Sequence, residues 1–206
     1  MDLPGSNLAV GRFNHASDAF LIHPSGRLIS INTALHKFEV LKPASTPVPD
    51  SAAPLANSFA GPGSLDGLLL GPVCMAVSST GAILVLEQQN NRIQAFDTGA
   101  NPTLFFDGKT SFIPLRPNSA GATFMDMAVE STGYIYVLSA REAVYTLDIY
   151  KPSGEWLSAT NGVNAGKLTV DLFRNLYTLN FETLKPIGDI TEPSISQWIP
   201  STPAGS

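Results

Sequence analysis

Hydrophobic and polar positions alternate in short runs along this chain, and one arrangement of runs returns four times. Met75-Ala76-Val77, the polar stretch Ser78-Ser79-Thr80-Gly81, and Ile83-Leu84-Val85-Leu86 form one copy. Met127-Ala128-Val129, Glu130-Ser131-Thr132-Gly133 and Ile135-Tyr136-Val137-Leu138 form the next. A looser copy runs from Ala19 to Ile31, and a fourth from Leu168 to Leu179. The turn positions are Gly26, Gly81, Gly133 and Arg174, spaced 55, 52 and 41 residues apart. Two apolar runs around a polar turn predict a β-hairpin, and glycine at a fixed place predicts a backbone with positive φ. Third runs follow at His36–Val40, Arg92–Asp97 and Tyr145–Tyr150, and fourth runs at Thr103–Phe106 and Glu155–Leu157. Four strands at a period of about 50 residues predict the blade of a β-propeller. No stretch carries sustained helical spacing.

Several of these residues have a familiar pattern. Phe59-Ala60-Gly61-Pro62-Gly63-Ser64, Gly67, Pro72, Met75-Ala76-Val77, Gly81 and Asn91-Arg92-Ile93-Gln94-Ala95-Phe96 together resemble an NHL-repeat blade. The third copy matches through Met127-Ala128-Val129, Gly133 and Tyr136-Val137 but lacks the Asn-Arg-Ile-Gln element. The resemblance spans residues 15–190 and is strong from 59 to 106. It implies an all-β propeller whose relatives mostly bind proteins and sometimes RNA, with a few lyases and lactonases among propellers. It also implies a structural role for Arg92, tying neighbouring strands through backbone or carboxylate hydrogen bonds, beside the turn glycines Gly81 and Gly133.

About four blades are readable, which predicts a small four-bladed propeller or an incomplete one. Residues 1–14 are expected to supply a closing strand, with Asn7–Phe13 pairing beyond runs at 168–179 and 183–190. Residues 15–190 are the propeller and 191–206 a flexible tail of linker composition. The stretch from Lys42 to Pro54, rich in Pro, Ala and Ser, is expected as an excursion between a third and a fourth strand. Connections between blades, Gly61–Gly71 and Asp107–Thr123, fall on the same face as the turn Gln88-Gln89-Asn90-Asn91, because every second connection returns to one side. Loops on such a face carry function. Gln88, Gln89 and Asn90, with Arg116, Phe112 and Trp198, are therefore the candidate partner-binding residues; Phe112 and Trp198 stand out as aromatics outside the repeats.

Composition narrows the function classes. The chain has 206 residues, 44% hydrophobic and 14% charged, with Gly 17 and Pro 16. So weakly charged a surface tolerates burial against another subunit. The net charge of −5 argues against nucleic acid, whose phosphates call for a basic surface. The longest apolar runs are far shorter than the roughly 20 residues of a spanning helix, so no membrane role is expected. The N-terminus shows no secretion signal, which leaves the cytoplasm by default, or an assembled particle.

Candidate chemistry is sparse. His15, His23 and His36 lie in different kinds of position, so no metal is assigned to them. Asp18, Asp126, Glu130 and Asp171 flank first strands, where carboxylates around an axis would suit calcium and equally well cap turns. Cys74 is the single cysteine; beside Met75 in an inner strand it reads as a small buried hydrophobe. Neither a Gly-x-Ser-x-Gly elbow nor a phosphate loop occurs. The reading is a non-enzymatic protein-binding or scaffolding module that meets a protein partner or neighbouring subunit, with no cofactor and no small-molecule ligand specified. The alternatives are a metal-dependent lyase or lactonase-type enzyme and a carbohydrate- or RNA-binding propeller.

Overall fold

The computed structural model describes residues 19–41, 57–105, 109–116, 121–163, 165–171, 173–180 and 194–198, excepting the side chains of 41, 57–59, 180 and 194–198. Fifteen strands and no helix occur among them. The first antiparallel sheet holds β1 (Ala19–Ile22), β2 (Leu28–Asn32), β3 (Lys37–Leu41) and β4 (Asn57–Ala60) in chain order. The second holds β5 (Pro72–Val77), β6 (Ile83–Glu87), β7 (Arg92–Phe96) and β8 (Phe112–Pro114). The third holds β9 (Thr123–Val129), β10 (Ile135–Arg141), β11 (Val144–Tyr150) and β12 (Trp156–Asn161). The fourth holds β13 (Lys167–Val170), β14 (Leu176–Asn180) and β15 (Ser194–Trp198).

One local device makes the hairpins. The amide of His23 bonds the carbonyl of Arg27, and the amide of Gly26 bonds the carbonyl of His23. The same pair of bonds closes Ser78–Ala82, Glu130–Tyr134 and Asp171–Asn175 between first and second strands, and Asp97–Asn101 and Lys151–Glu155 after third strands. The fourth residue of each turn has positive φ: Gly26, Gly81, Ala100, Gly133, Gly154 and Arg174. This is a type I turn followed by a left-handed residue, the usual three-residue hairpin loop. In several of these turns the first residue caps the turn with a side-chain acceptor. Asp97 Oδ1 accepts from the amides of Gly99 and Asn101, Asp171 Oδ1 from those of Phe173 and Asn175, and Ser78 Oγ from that of Ala82.

The sheets stack face to face, with apolar layers between consecutive ones. Ile29, Ile31, Phe38 and Val40 meet Ile83, Val85 and Phe96 between the first and second sheets, where Phe38 and Phe96 pack edge to face at 4.9 Å. Leu84, Leu86, Ile93 and Ala95 meet Phe124, Met127, Ile135, Val137 and Tyr150 between the second and third. Ala128, Tyr136, Leu147 and Ile149 meet Leu176 between the third and fourth. All five residues of β6 and of β7 are buried, so this blade is sandwiched on both sides and its strands lose the usual polar alternation. The first strands pack in series, β1 on β5, β5 on β9 and β9 on β13. Among the described residues no strand pair makes a comparable contact between the first and fourth sheets. The expected closing segment, Asn7–Phe13, and the Lys42–Pro54 excursion lie outside the described residues.

Three assignments change. The fourth strand of the second sheet is Phe112–Pro114 and not Thr103–Phe106. After Pro102 bridges Phe96 and the Thr103 amide bonds the Ala95 carbonyl, Phe105 turns into the core, 4% exposed. Burying that ring draws the chain off the sheet edge, and β8 takes the vacant place beside β7. The connection into the third sheet is correspondingly short, 115–122. The third strand of the fourth sheet is Ser194–Trp198, paired with β14, and not 183–190. Phe112 and Trp198 are thus strand residues, not residues outside the repeats, and the segment 191–206 contains a strand where a flexible tail is expected.

Candidate partner-binding face

The hairpin turns Gln88–Asn91 and Glu142–Ala143 share one face with the connector 61–71 and with the described ends, 115–116 and 121–122, of the connector into the third sheet. Each of these two connectors is held by the blade it leads into, with the third strand supplying a buried polar side chain. Register makes the device plain. Glu39 stands opposite Ser30, Gln94 opposite Val85 and Asp148 opposite Val137, each at the third residue of its second strand. All three are buried, at 1%, 0% and 1% exposure. A buried polar side chain costs stability unless its hydrogen bonds are made.

In the second blade the partners are the backbone of the incoming connector. Gln94 Oε1 accepts from the Gly67 amide at 2.8 Å and its Nε2 donates to the Leu68 carbonyl at 3.0 Å. Arg92 donates to the carbonyls of Ser64, Leu65 and Leu68 and pairs through Nε with Glu87 Oε1 at 2.6 Å. Glu87, fully buried, accepts from the Leu70 amide through its other oxygen. Asn90 Nδ2 donates to the Gly63 carbonyl and to Glu87. A planar five-donor cation suits several carbonyls and one carboxylate at once. The Phe112 ring lies against the Arg92 guanidinium, 5.2 Å from its centre, and is 37% exposed.

The third blade reaches the same end differently. Asp148 is bonded by Trp156 Nε1 at 2.9 Å, and Arg116, carried by the connector, approaches it at 3.0 Å. Burial raises the Asp148 carboxyl above its ordinary value, against the lowering pulls of Trp156 and Arg116. The Arg116 amide donates to the Tyr150 hydroxyl. Burial pushes that hydroxyl up to about 12, so it stays protonated. The Arg116 guanidinium faces the Trp156 ring at 5.5 Å, and that indole is 42% exposed. Arg116, Ser139, Arg141, Glu142, Val144 and Thr146 line a cleft of about 220 Å³ beside it.

The candidate residues divide accordingly. Gln88 joins the second blade to the third, donating to the Ala122 carbonyl and accepting from the Phe124 amide. Gln88, Asn90 and Arg116 thus make internal bonds. Gln89 is exposed. The Trp198 side chain lies outside the described residues. Cys74 is buried and its thiol pushed well up, first by burial and then by the Asp126 carboxylate, so it stays an unreactive thiol. Asp126 accepts from the Leu168 amide, joining the third blade to the fourth, and Asp171 caps its turn. Among the described residues no three His, Cys, Asp or Glu side chains converge as a metal site.

Known structures place the architecture. The propeller domain of Cps50 (Swd1) from Myceliophteria thermophila aligns with 82% of this chain at 17% identity and a TM-score of 0.53. A gluconolactonase-like protein aligns with 79% at 14% identity and a TM-score of 0.51. The fold is that of a β-propeller. Catalytically inactive virginiamycin B lyase from Staphylococcus aureus aligns with 98% of the chain at 18% identity, with a TM-score of 0.47. The chain spans 51%, 54% and 59% of those three proteins. No protein-family model matches the chain, the NHL repeat included, and no curated protein matches it. Identities this low reach no further than the fold.

Proposed function

We propose that this chain is a non-enzymatic, protein-binding propeller module that presents a rigid aromatic rim to a protein partner or neighbouring subunit. The observation that carries it is the pair Phe112 and Trp156. Each is a partly exposed aromatic on an outer strand, stacked on a guanidinium whose charge a buried carboxylate already neutralises. Rings fixed this way lose little side-chain entropy when a partner covers them, and large aromatics over paired arginines are what interface centres favour. Leu65 on the connector into the second blade, and Val144 and Leu157 on the third blade, are further exposed apolar side chains, at 73%, 51% and 44% exposure. Gln89 stands on the same connector face.

The test is quantitative affinity capture from the source cells, followed by titration of the recovered partner. The Phe112→Ala/Trp156→Ala double variant is expected to lose the partner, since truncating a central aromatic costs about 2 kcal/mol or more of binding. Phe173→Ala, at an aromatic 85% exposed on the fourth blade, is the matched control and is expected to keep it. Equal recovery of the partner by all three proteins would refute the assignment of the face.

A further inference from the structure

We infer that the joint between the first and second blades is latched by an uncharged histidine, His36, and opens on acidification. His36 ends the turn between β2 and β3, and its Nδ1 lies 2.9 Å from the Gly71 amide, the last residue before β5. A backbone amide only donates, so Nδ1 carries no proton. The bond crosses from the first blade to the connector of the second. Protonation puts a second N–H where the acceptor was, and the Gly71 amide loses its partner.

His23 sits at the opposite face of the same joint and behaves differently. Its Nε2 lies 2.9 Å from the Gly81 carbonyl, which only accepts, so Nε2 carries the proton. Its Nδ1 accepts from the Ser25 amide at 3.0 Å. A proton added at Nδ1 breaks that bond within the turn, yet Nε2 still donates across the joint. The response of the joint therefore belongs to His36. The charged groups around the latch are Lys37, next to it on β3, and Glu87, whose carboxylate accepts from Leu70 beside Gly71 and is paired with Arg92 on β7. Connector residues 67–71 carry no ionisable side chain. Around His23 stand Arg27 and Asp97, opposite charges lining one cleft.

The second blade supplies the control. Asn91 occupies the place of His36, one residue before the third strand after a turn of equal length, and both have positive φ, 49° and 54°. Asparagine tolerates that backbone and offers Oδ1 where imidazole offers Nδ1, without titrating. Amide hydrogen exchange of the whole protein at pH 7.5 and 5.5, corrected for intrinsic rates, tests the latch. Wild type is expected to lose about tenfold protection at Gly71 on acidification, the scale of one hydrogen bond, while β10 and β11 keep theirs. His36→Asn is expected to hold Gly71 protection constant across that range, and His23→Asn to leave the wild-type response in place. A pH response at Gly71 that survives in His36→Asn, or none in wild type, overturns the inference.

Discussion

The second and third blades hold their incoming connectors from the same register position with opposite divisions of charge. In the second, cation and acid both belong to the blade, and Arg92 spends its remaining donors on connector carbonyls. In the third, the acid Asp148 belongs to the blade and the cation Arg116 arrives on the connector. What the fold requires is therefore a satisfied buried polar group on the third strand. Which chain segment carries the partner charge is free to vary. The means differ too: the second connector is fastened along its backbone from Gly63 to Leu70, whereas the described ends of the third are fastened by the Arg116 side chain and amide and by the Leu115 amide and Ala122 carbonyl.

The largest effect is expected at the ion pair of the second blade. Arg92→Leu leaves Glu87 buried with its charge uncompensated and removes three connector bonds, at a cost of about 3–5 kcal/mol. Chemical denaturation would read it, and a loss under 1 kcal/mol would show the pair to be dispensable. The next contrasts two matching turn positions. A Cβ at Gly154 would stand 2.1 Å from Ile113 Cγ2, where φ is +84°, while the second blade already carries alanine at position 100. A β-branched neighbour has no rotamer to retreat into, so Gly154→Ala is expected to cost about 2–3 kcal/mol. Ala100→Gly is expected to cost little or to stabilise.

Arg116→Gln probes the third blade and has a pH signature. Folding raises the Asp148 carboxyl, so its favourable contribution is complete below the unfolded value and is lost as pH rises through the folded one. Without the guanidinium the ionised form is held still less well. The variant is expected to lose about 2 kcal/mol at pH 7, with the deficit shrinking toward pH 4. A deficit independent of pH would show that packing on Trp156, not charge, is what Arg116 contributes. The smallest effect is at Arg174, the fourth-blade turn residue with φ of 69°. Arg174→Gly is expected to stabilise by about 0.5–1 kcal/mol, because the other three first turns already carry glycine there.

Local chemistry is what the sequence makes legible. Gly26, Gly81 and Gly133 mark their turns because glycine adopts that backbone without the strain most side chains bring, and even Arg174 is found from spacing alone. The buried third-strand polar position was also readable in principle, since Glu39, Gln94 and Asp148 each stand between two hydrophobic residues at one register. What sequence does not carry is where a chain goes after a turn. The run Thr103–Phe106 looks like a strand, yet Phe105 gains more by entering the core than by pairing. Gln88 and Asn90 look like solvent-facing loop polars, and only the approach of Ala122 and Gly63 from distant sequence turns them inward.

The most direct measurement is amide exchange along the connector 61–71 in wild type and Gln94→Leu. If the second blade grips the connector, through Gln94 on β7 and Glu87 on β6, the Gly67 and Leu70 amides exchange as slowly as β6 and β7 in wild type. Gly67 alone is then expected to speed by about tenfold or more in the variant. Unprotected connector amides in wild type, beside protected β6 and β7, would contradict it.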